Sequence, residues 1–397
     1  MEFLKSKFIK FSILLLVVGC VEPVDIKTIS YENYLVVEAI ITNENKKHSI
    51  QLSRTFEIDS NTPAPETGAT VQIISDITTY NFIETSPGNY VSIVAFSAEE
   101  GENYQLNITT KDGKSYSSSK EIVPKNSQIE RISTSIETSV EGEKGVTINV
   151  QSFNPTNDSN YYRYQYEETY KIVPPFWSSK ELIVISDVRP FEVDIIDRTV
   201  DNKICYKTND SKSILITETK SLAEDRVNFS IRFILETNFI ISERYSILVK
   251  QFVQSPKGYN YYKTLKELSS SDNVFAQTQP GFIAGNLISN TDPNEKVVGF
   301  FEVASVSEKR FFFNFSDIFS SDKPNFLDSC DFVAPILYDS FTGDSPLVNL
   351  LKDNSHTYYK ENDTGLAHLE GRYLFVPKIC GDCTISGSNI KPSFWID

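Results

Sequence analysis

The sequence predicts a mainly β protein: an N-terminal immunoglobulin-like β-sandwich, then a larger β-rich domain with a short helix and a disulfide-stapled C-terminal tail. Three observations carry that prediction. The 397 residues include 20 Tyr and 27 Phe, with abundant Val, Ile and Thr and one methionine, Met1; β-branched and aromatic side chains suit a pleated surface. Apolar and polar residues alternate in short runs between turn residues along most of the chain. Cysteines gather toward the C-terminal end, at Cys330, Cys380 and Cys383, with Cys205 upstream.

The first stretch is an address rather than a fold. Lys5, Lys7 and Lys10 form a positive start, Phe11 to Val18 a short apolar run, and Gly19-Cys20 comes next. The run is far shorter than the roughly 20 residues that span a bilayer. A basic start, a short apolar segment and a small residue before the cut describe a secretory signal peptide. Val17-Val18-Gly19-Cys20 resembles the bacterial lipobox, whose cysteine is acylated and becomes the mature N-terminus. Residues 1–19 are therefore expected to be a lipoprotein signal peptide and 20–33 a lipidated tether, with the bilayer as a partner through acylated Cys20. At about 0.8 kcal/mol per buried methylene, two or more acyl chains anchor a protein stably.

Residues 34–124 read as the sandwich. "YLVVEAIITN" alternates and ends in turn residues, "HSIQLSRTF" comes next, and "PETGATVQIISD" has a glycine turn feeding a strand. "TTYNFIETSPGNYVS" is a hairpin around Pro87-Gly88-Asn89, and "GENYQLNITTKDGKSYSSSKEIV" turns at Asp112-Gly113. About seven short strands at this spacing suggest an immunoglobulin-like sandwich, ending at Pro124.

Residues 125–397 form the larger domain. "GVTINVQSFNP" reads as a strand and "NDSN" as a turn. In "YYRYQYEETYKI", Tyr162, Tyr164 and Tyr166 fall on one strand face and Arg163, Gln165 and Glu167 on the other. "VNFSIRFILE", "ERYSILVKQFV" and "VVGFFEVASVSEKRFFF" are further strands, and "SPKGYNYYKTLKELSSS" is the helix candidate. After Asn314 turn residues dominate.

Export makes disulfides the default reading of Cys205, Cys330, Cys380 and Cys383. Four cysteines allow three pairings. A direct Cys380–Cys383 bridge strains a tight loop, so the expected bridges run from Cys205 to one tail cysteine and from Cys330 to the other. A zinc site built from four cysteines calls for two knuckles, whereas one CxxC is present. A redox motif opens a helix after a strand, whereas Gly381-Asp382 reads as a loop. No metal and no cofactor is expected.

The acidic balance, 38 Lys and Arg against 53 Asp and Glu with net charge −15, argues against a nucleic-acid partner. His48, His356 and His368 are not spaced as zinc-peptidase ligands, and neither a G-x-S-x-G elbow nor a phosphate loop is present. Glu167 and Glu168 are adjacent carboxylates, but on a strand they point to opposite faces. Catalytic residues are therefore not assigned. The candidates for ligand or partner binding are aromatic: the Tyr162, Tyr164 and Tyr166 face, which suits a sugar or peptide if it is not cross-strand packing, and Trp177 and Trp395 in "PPFW" and "KPSFW".

Several segments together carry a resemblance: the lipobox, "LVVEAIIT" with "SPGNY", "RYSILVKQFVQSPKGYNYYKTLKELS", "FAQTQPGFIAGN", "PNEKVVGFFEVASVSEKRFFF" and the tail "CGDCTISGSNIKPSFW". The chain resembles a family of Bacteroidetes outer-membrane lipoproteins of unknown function (DUF4249), over nearly its whole mature length. The resemblance implies attachment to the outer membrane, on either face, and an accessory role beside a TonB-dependent receptor in nutrient uptake. It implies no catalytic residue. The resulting expectation is a non-catalytic, lipid-anchored protein that binds a ligand, a channel or both. The alternatives are a surface adhesion or matrix-binding module and, less favoured, a carboxylate-based hydrolase.

Overall fold

A computed structural model describes residues 33–56, 62–269, 283–326, 330–365 and 370–397. The leader, Cys20, the tether up to residue 32 and His368 lie outside them. The protein is mainly β, with 48% strand and 10% helix, as its composition leads one to expect.

Strand β1 (Leu35–Thr42) buries Leu35, Val37, Ala39 and Ile41 on one face, as its period-two pattern requires. It is followed by β2 (Ser49–Arg54), β3 (Thr70–Ser75), β4 (Thr79–Ser86), β5 (Asn89–Ser92), β6 (Asn103–Thr109), β7 (Ser115–Ser118) and β8 (Glu121–Ile122). The β4–β5 hairpin turns at Gly88, whose φ of +75° and whose closeness to the Leu52 carbonyl exclude a side chain.

The chain continues through β9 (Ile129–Thr138), β10 (Lys144–Asn154), β11 (Tyr161–Ile172), β12 (Lys180–Ser186), β13 (Glu192–Asp197), β14 (Cys205–Asp210), β15 (Leu215–Glu218), β16 (Asp225–Leu235) and β17 (Arg244–Val253). Helix α1 (Pro256–Ser269) coincides with the helix candidate. Proline at its first position and the Ser255 hydroxyl, which accepts the Gly258 N–H at 3.1 Å, explain its start. Then come β18 (Leu287–Ser289), β19 (Val297–Asn314), α2 (Pro346–Asp353), β20 (His356–Glu361), β21 (Tyr373–Pro377) and α3 (Lys378–Gly381).

Strand β19 joins the two halves. Its first part runs parallel to β1, from Leu35 opposite Val297 to Thr42 opposite Ala304. Its second part is antiparallel to β17, from Val253 opposite Ser305 to Arg244 opposite Asn314. One sheet therefore runs β14-β11-β17-β19-β1-β2-β5-β4-β3-β6-β7-β18. The N-terminal module curls around one core, in which Leu35, Ile50, Ile73, Tyr90 and Tyr116 pack with Val297 and Phe301 of β19. The close approach of β19 to β1 depends on Gly299: its φ is +125°, and an added Cβ would lie 2.0 Å from the Val37 carbonyl oxygen.

A three-stranded sheet, β16-β10-β9, covers the other half. Val146, Ile148 and Val150 of β10 share a core with Tyr162 and Tyr164 of β11 and Ile247 and Val249 of β17, the two-layer arrangement of a sandwich. A smaller cluster joins Leu182, Leu347, Tyr358 and Phe375 from β12, α2, β20 and β21.

The C-terminal part is more ordered than its turn-rich sequence suggests, since it contains α2, the β20–β21 hairpin and α3. Cys380 lies on α3, directly after β21, so Gly381, expected in a loop, is the last residue of that short helix, and Asp382 follows as its C-cap. Disulfides join Cys205 to Cys383 and Cys330 to Cys380, each body cysteine taking one tail cysteine.

Candidate ligand-binding groove

The structure corrects the tyrosine face. Tyr162 and Tyr164 are 0% and 1% exposed, sealed beneath the β16-β10-β9 sheet. The Tyr162 hydroxyl donates to Asp225 Oδ1 at 2.7 Å and the Tyr164 hydroxyl to Gln251 Oε1 at 3.0 Å, while the Tyr164 ring stacks on Phe229. Tyr166 is half-buried against the same core. Tyr162 and Tyr164 therefore form no platform for a ligand, whereas Tyr166 lines a small cavity of about 250 Å³ with Glu167, Asp210 and Lys250. The cause is that period-two alternation defines two faces without saying which one a second layer will cover.

Trp395 is also buried, with its ring edge-on to Tyr206 and Phe312, so it docks the tail on the sheet. Trp177 is half-buried; its Nε1–H donates to Asn202 Oδ1 at 2.9 Å, and Lys203 lies over its ring. Glu168 is buried and bonded to Arg232 and the Tyr245 hydroxyl, whereas Glu167 pairs with Arg310. The adjacent carboxylates thus face different partners and do not converge.

The opposite face of β11 leads to a groove of about 730 Å³. Its floor is the outward face of β1 and β19, with Val36, Ile40, Val298 and Phe300. One wall is α1, through Tyr261, Tyr262 and Leu265, and the other is the loop from Glu44 to His48. Gln51 on β2, Glu38 on β1, Lys250 on β17 and Gln165 on β11 add long polar side chains from four different strands. Tyr261 stacks on Phe300 with ring centroids 5.4 Å apart and stands edge-on to Tyr262. Burial, with Glu38 nearby, raises the Tyr261 pKa above its ordinary value.

An ion pair anchors this groove. Arg163 Nη2 donates to Glu302 Oε2 at 2.8 Å, with side chains 7% and 2% exposed. Gln254 Nε2 donates to Glu302 Oε1 at 2.6 Å and the Tyr262 hydroxyl to Glu302 Oε2 at 3.1 Å. The Arg163 guanidinium lies 4.2 Å from the Phe252 ring centre and 4.7 Å from that of Tyr262, close enough for cation–π attraction. Burial opposes its charge, but the Glu302 carboxylate outweighs this and raises the Arg163 pKa. Burial and Glu302 push the Tyr262 hydroxyl well above the ordinary phenol range. Glu302 therefore fastens α1, β11 and the end of β17 to β19.

At the loop wall His48 is buried, and its Nε2 lies 3.0 Å from the Phe96 carbonyl oxygen. Desolvation lowers its pKa to about 4, so it is neutral at physiological pH. Glu44 hydrogen-bonds Lys46 and Thr42.

The groove combines apolar and polar surface. It presents a flat aromatic pair beside amide, ammonium and carboxylate groups that donate and accept, the composition of sites for polar ligands with an apolar face. Sequence reasoning picked the right strand, "YRYQY", but the wrong face: Arg163 and Gln165, between the tyrosines, reach the groove. Among the described residues no cluster of three or more His, Cys, Asp or Glu is arranged to hold a metal ion. No helix among them is long and apolar enough to cross a membrane.

A family model described as a domain of unknown function (DUF4249) matches residues 21–310. No curated protein matches the chain. Among solved structures, the Yersinia pseudotuberculosis adhesin InvE aligns at 9% identity and a TM-score of 0.16, covering 87% of this chain and 96% of that one. The collagen binding domain of Erysipelothrix rhusiopathiae surface protein RspB aligns at 10% identity and a TM-score of 0.11, covering 70% and 96%. Scores this low bear neither on fold nor on function.

Proposed function

The chain belongs to the DUF4249 family of unknown function, and on that premise we propose that it is a lipid-anchored ligand-binding protein of the Bacteroidetes outer membrane. In this reading it is non-catalytic and serves a TonB-dependent receptor in nutrient uptake. The groove between α1 and the β1–β19 face is the binding site. The observation that carries the proposal is the convergence there of an aromatic pair, Tyr261 and Phe300, with long polar side chains from four strands. A ligand of sugar or short-peptide size fits a groove of about 730 Å³. Cys20, with the lipobox before it, supplies the anchor, and the tether after it gives the domain reach above the bilayer.

The test is a pull-down of the tagged, lipidated protein from its native membrane in mild detergent, with mass spectrometry of the proteins that accompany it. A stoichiometric β-barrel receptor is the expected result. Recovery as a clean monomer would overturn the receptor partnership and bring surface adhesion forward.

A further inference from the structure

A second cavity, independent of the groove, opens between the β12–β13 hairpin and the start of β21, with a volume of about 620 Å³. Val193, Leu347 and Tyr373 make its apolar floor. Ile185 and Leu337 form its rim and are 57% and 37% exposed.

Three consecutive β13 residues, Glu192, Val193 and Asp194, line this slot. Successive strand residues point to opposite faces, so a cavity touched by three in a row follows the strand's edge. Among the described residues the one ladder partner of β13 is β12. A two-stranded sheet is marginal by itself and gains from a third strand. The end of the slot is fixed: the Arg189 guanidinium donates to the Gly343 carbonyl from Nε at 3.2 Å and Nη2 at 2.7 Å and lies over the Tyr338 ring. These contacts hold the hairpin tip to the facing loop.

We propose that this slot takes an extended segment of a partner protein, added as a third strand beside β13, in which apolar and basic residues alternate. Main-chain pairing with an open edge and alternate side chains in pockets are how strand addition recognises peptides. The apolar side chains would meet Val193, Leu347 and Tyr373. The basic ones would meet Glu192 and Asp194, which share the other face of β13, are exposed, and have no ion-pair partner among the described residues, whereas Arg372, the cation that also lines the slot, is paired with Glu361.

The experiment selects a randomised short-peptide display library against the oxidised, mature chain and measures the enriched peptides by fluorescence anisotropy. Enriched peptides should alternate apolar residues with Lys or Arg. N-methylation of alternate backbone amides, and the surface double substitution Glu192→Lys with Asp194→Lys, should each weaken binding about tenfold or more. Circular dichroism of the double variant should match the parent. The proposal is overturned if no peptide is enriched or if acidic peptides are. It is also overturned if N-methylation leaves affinity unchanged, since the attraction would then be charge without strand pairing.

Discussion

Arg163 on β11 and Glu302 on β19 are separated by 139 residues of chain, yet their side chains meet at 2.8 Å in a buried ion pair beneath the groove. Three elements depend on that one carboxylate, because Gln254 and Tyr262 donate to it as well. Glu302→Ala leaves a buried guanidinium without its counter-charge and should cost about 3–5 kcal/mol in denaturant unfolding. Replacing both partners by apolar residues of similar volume should recover most of the loss. Amide exchange in α1 should quicken in the single variant, since Tyr262 loses its acceptor.

His48 makes stability sensitive to acid. Its pKa is about 4 in the fold and near 6.5 when unfolded. Between those values the unfolded chain binds a proton that the folded chain refuses, so stability falls as pH drops from about 6.5 to about 4. The full effect is on the order of 3 kcal/mol. His48→Gln should flatten that part of the stability profile, as read by thermal melts across the window.

The bridges tie the tail to the body. Cys205 and Cys383 are 178 residues apart in sequence, a long loop for one cross-link to close. Replacing both by Ala should lower stability by about 2–5 kcal/mol. Intact mass of the mature chain should lie four hydrogens below that of the reduced form, two for each bridge.

Gly299 is a second point of failure. Its φ of +125° and the 2.0 Å approach of an added Cβ to Val37 mean that Gly299→Ala must push β19 away from β1. A loss of about 3 kcal/mol or more is expected in chemical denaturation, large among single substitutions.

The groove makes its own prediction. Tyr261→Ala removes one ring of the stacked pair while leaving the Glu302 network intact. Ligand affinity measured by calorimetry should fall about tenfold, or about 1.4 kcal/mol, with a modest drop in melting temperature from the lost packing on Phe300 and Tyr262.

Local chemistry was readable from residues alone. Alternation in "LVVEAIIT" suffices to place β1, the spacing in "SPKGYNYYKTLKELSSS" places α1, and Pro87-Gly88 places a hairpin. "YRYQY" marks a strand with two distinct faces, but the tyrosine face proved to be core. Arg163, on the face opposite the tyrosines, is buried because β19 brings Glu302 to it.

By itself, then, the sequence determined the features that depend on neighbours in the chain: a β-rich body, its hairpins and helix, and cysteines suited to stapling a tail. Tertiary structure alone decided that β19 runs parallel to β1, which body cysteine meets which tail cysteine, and that a groove lies where β1, β11, β17, β19 and α1 meet. The physical reason is range. Hydrophobic period and turn chemistry act over a few residues, whereas pairing between strands far apart in sequence is settled only by which faces bury together once the whole chain has collapsed.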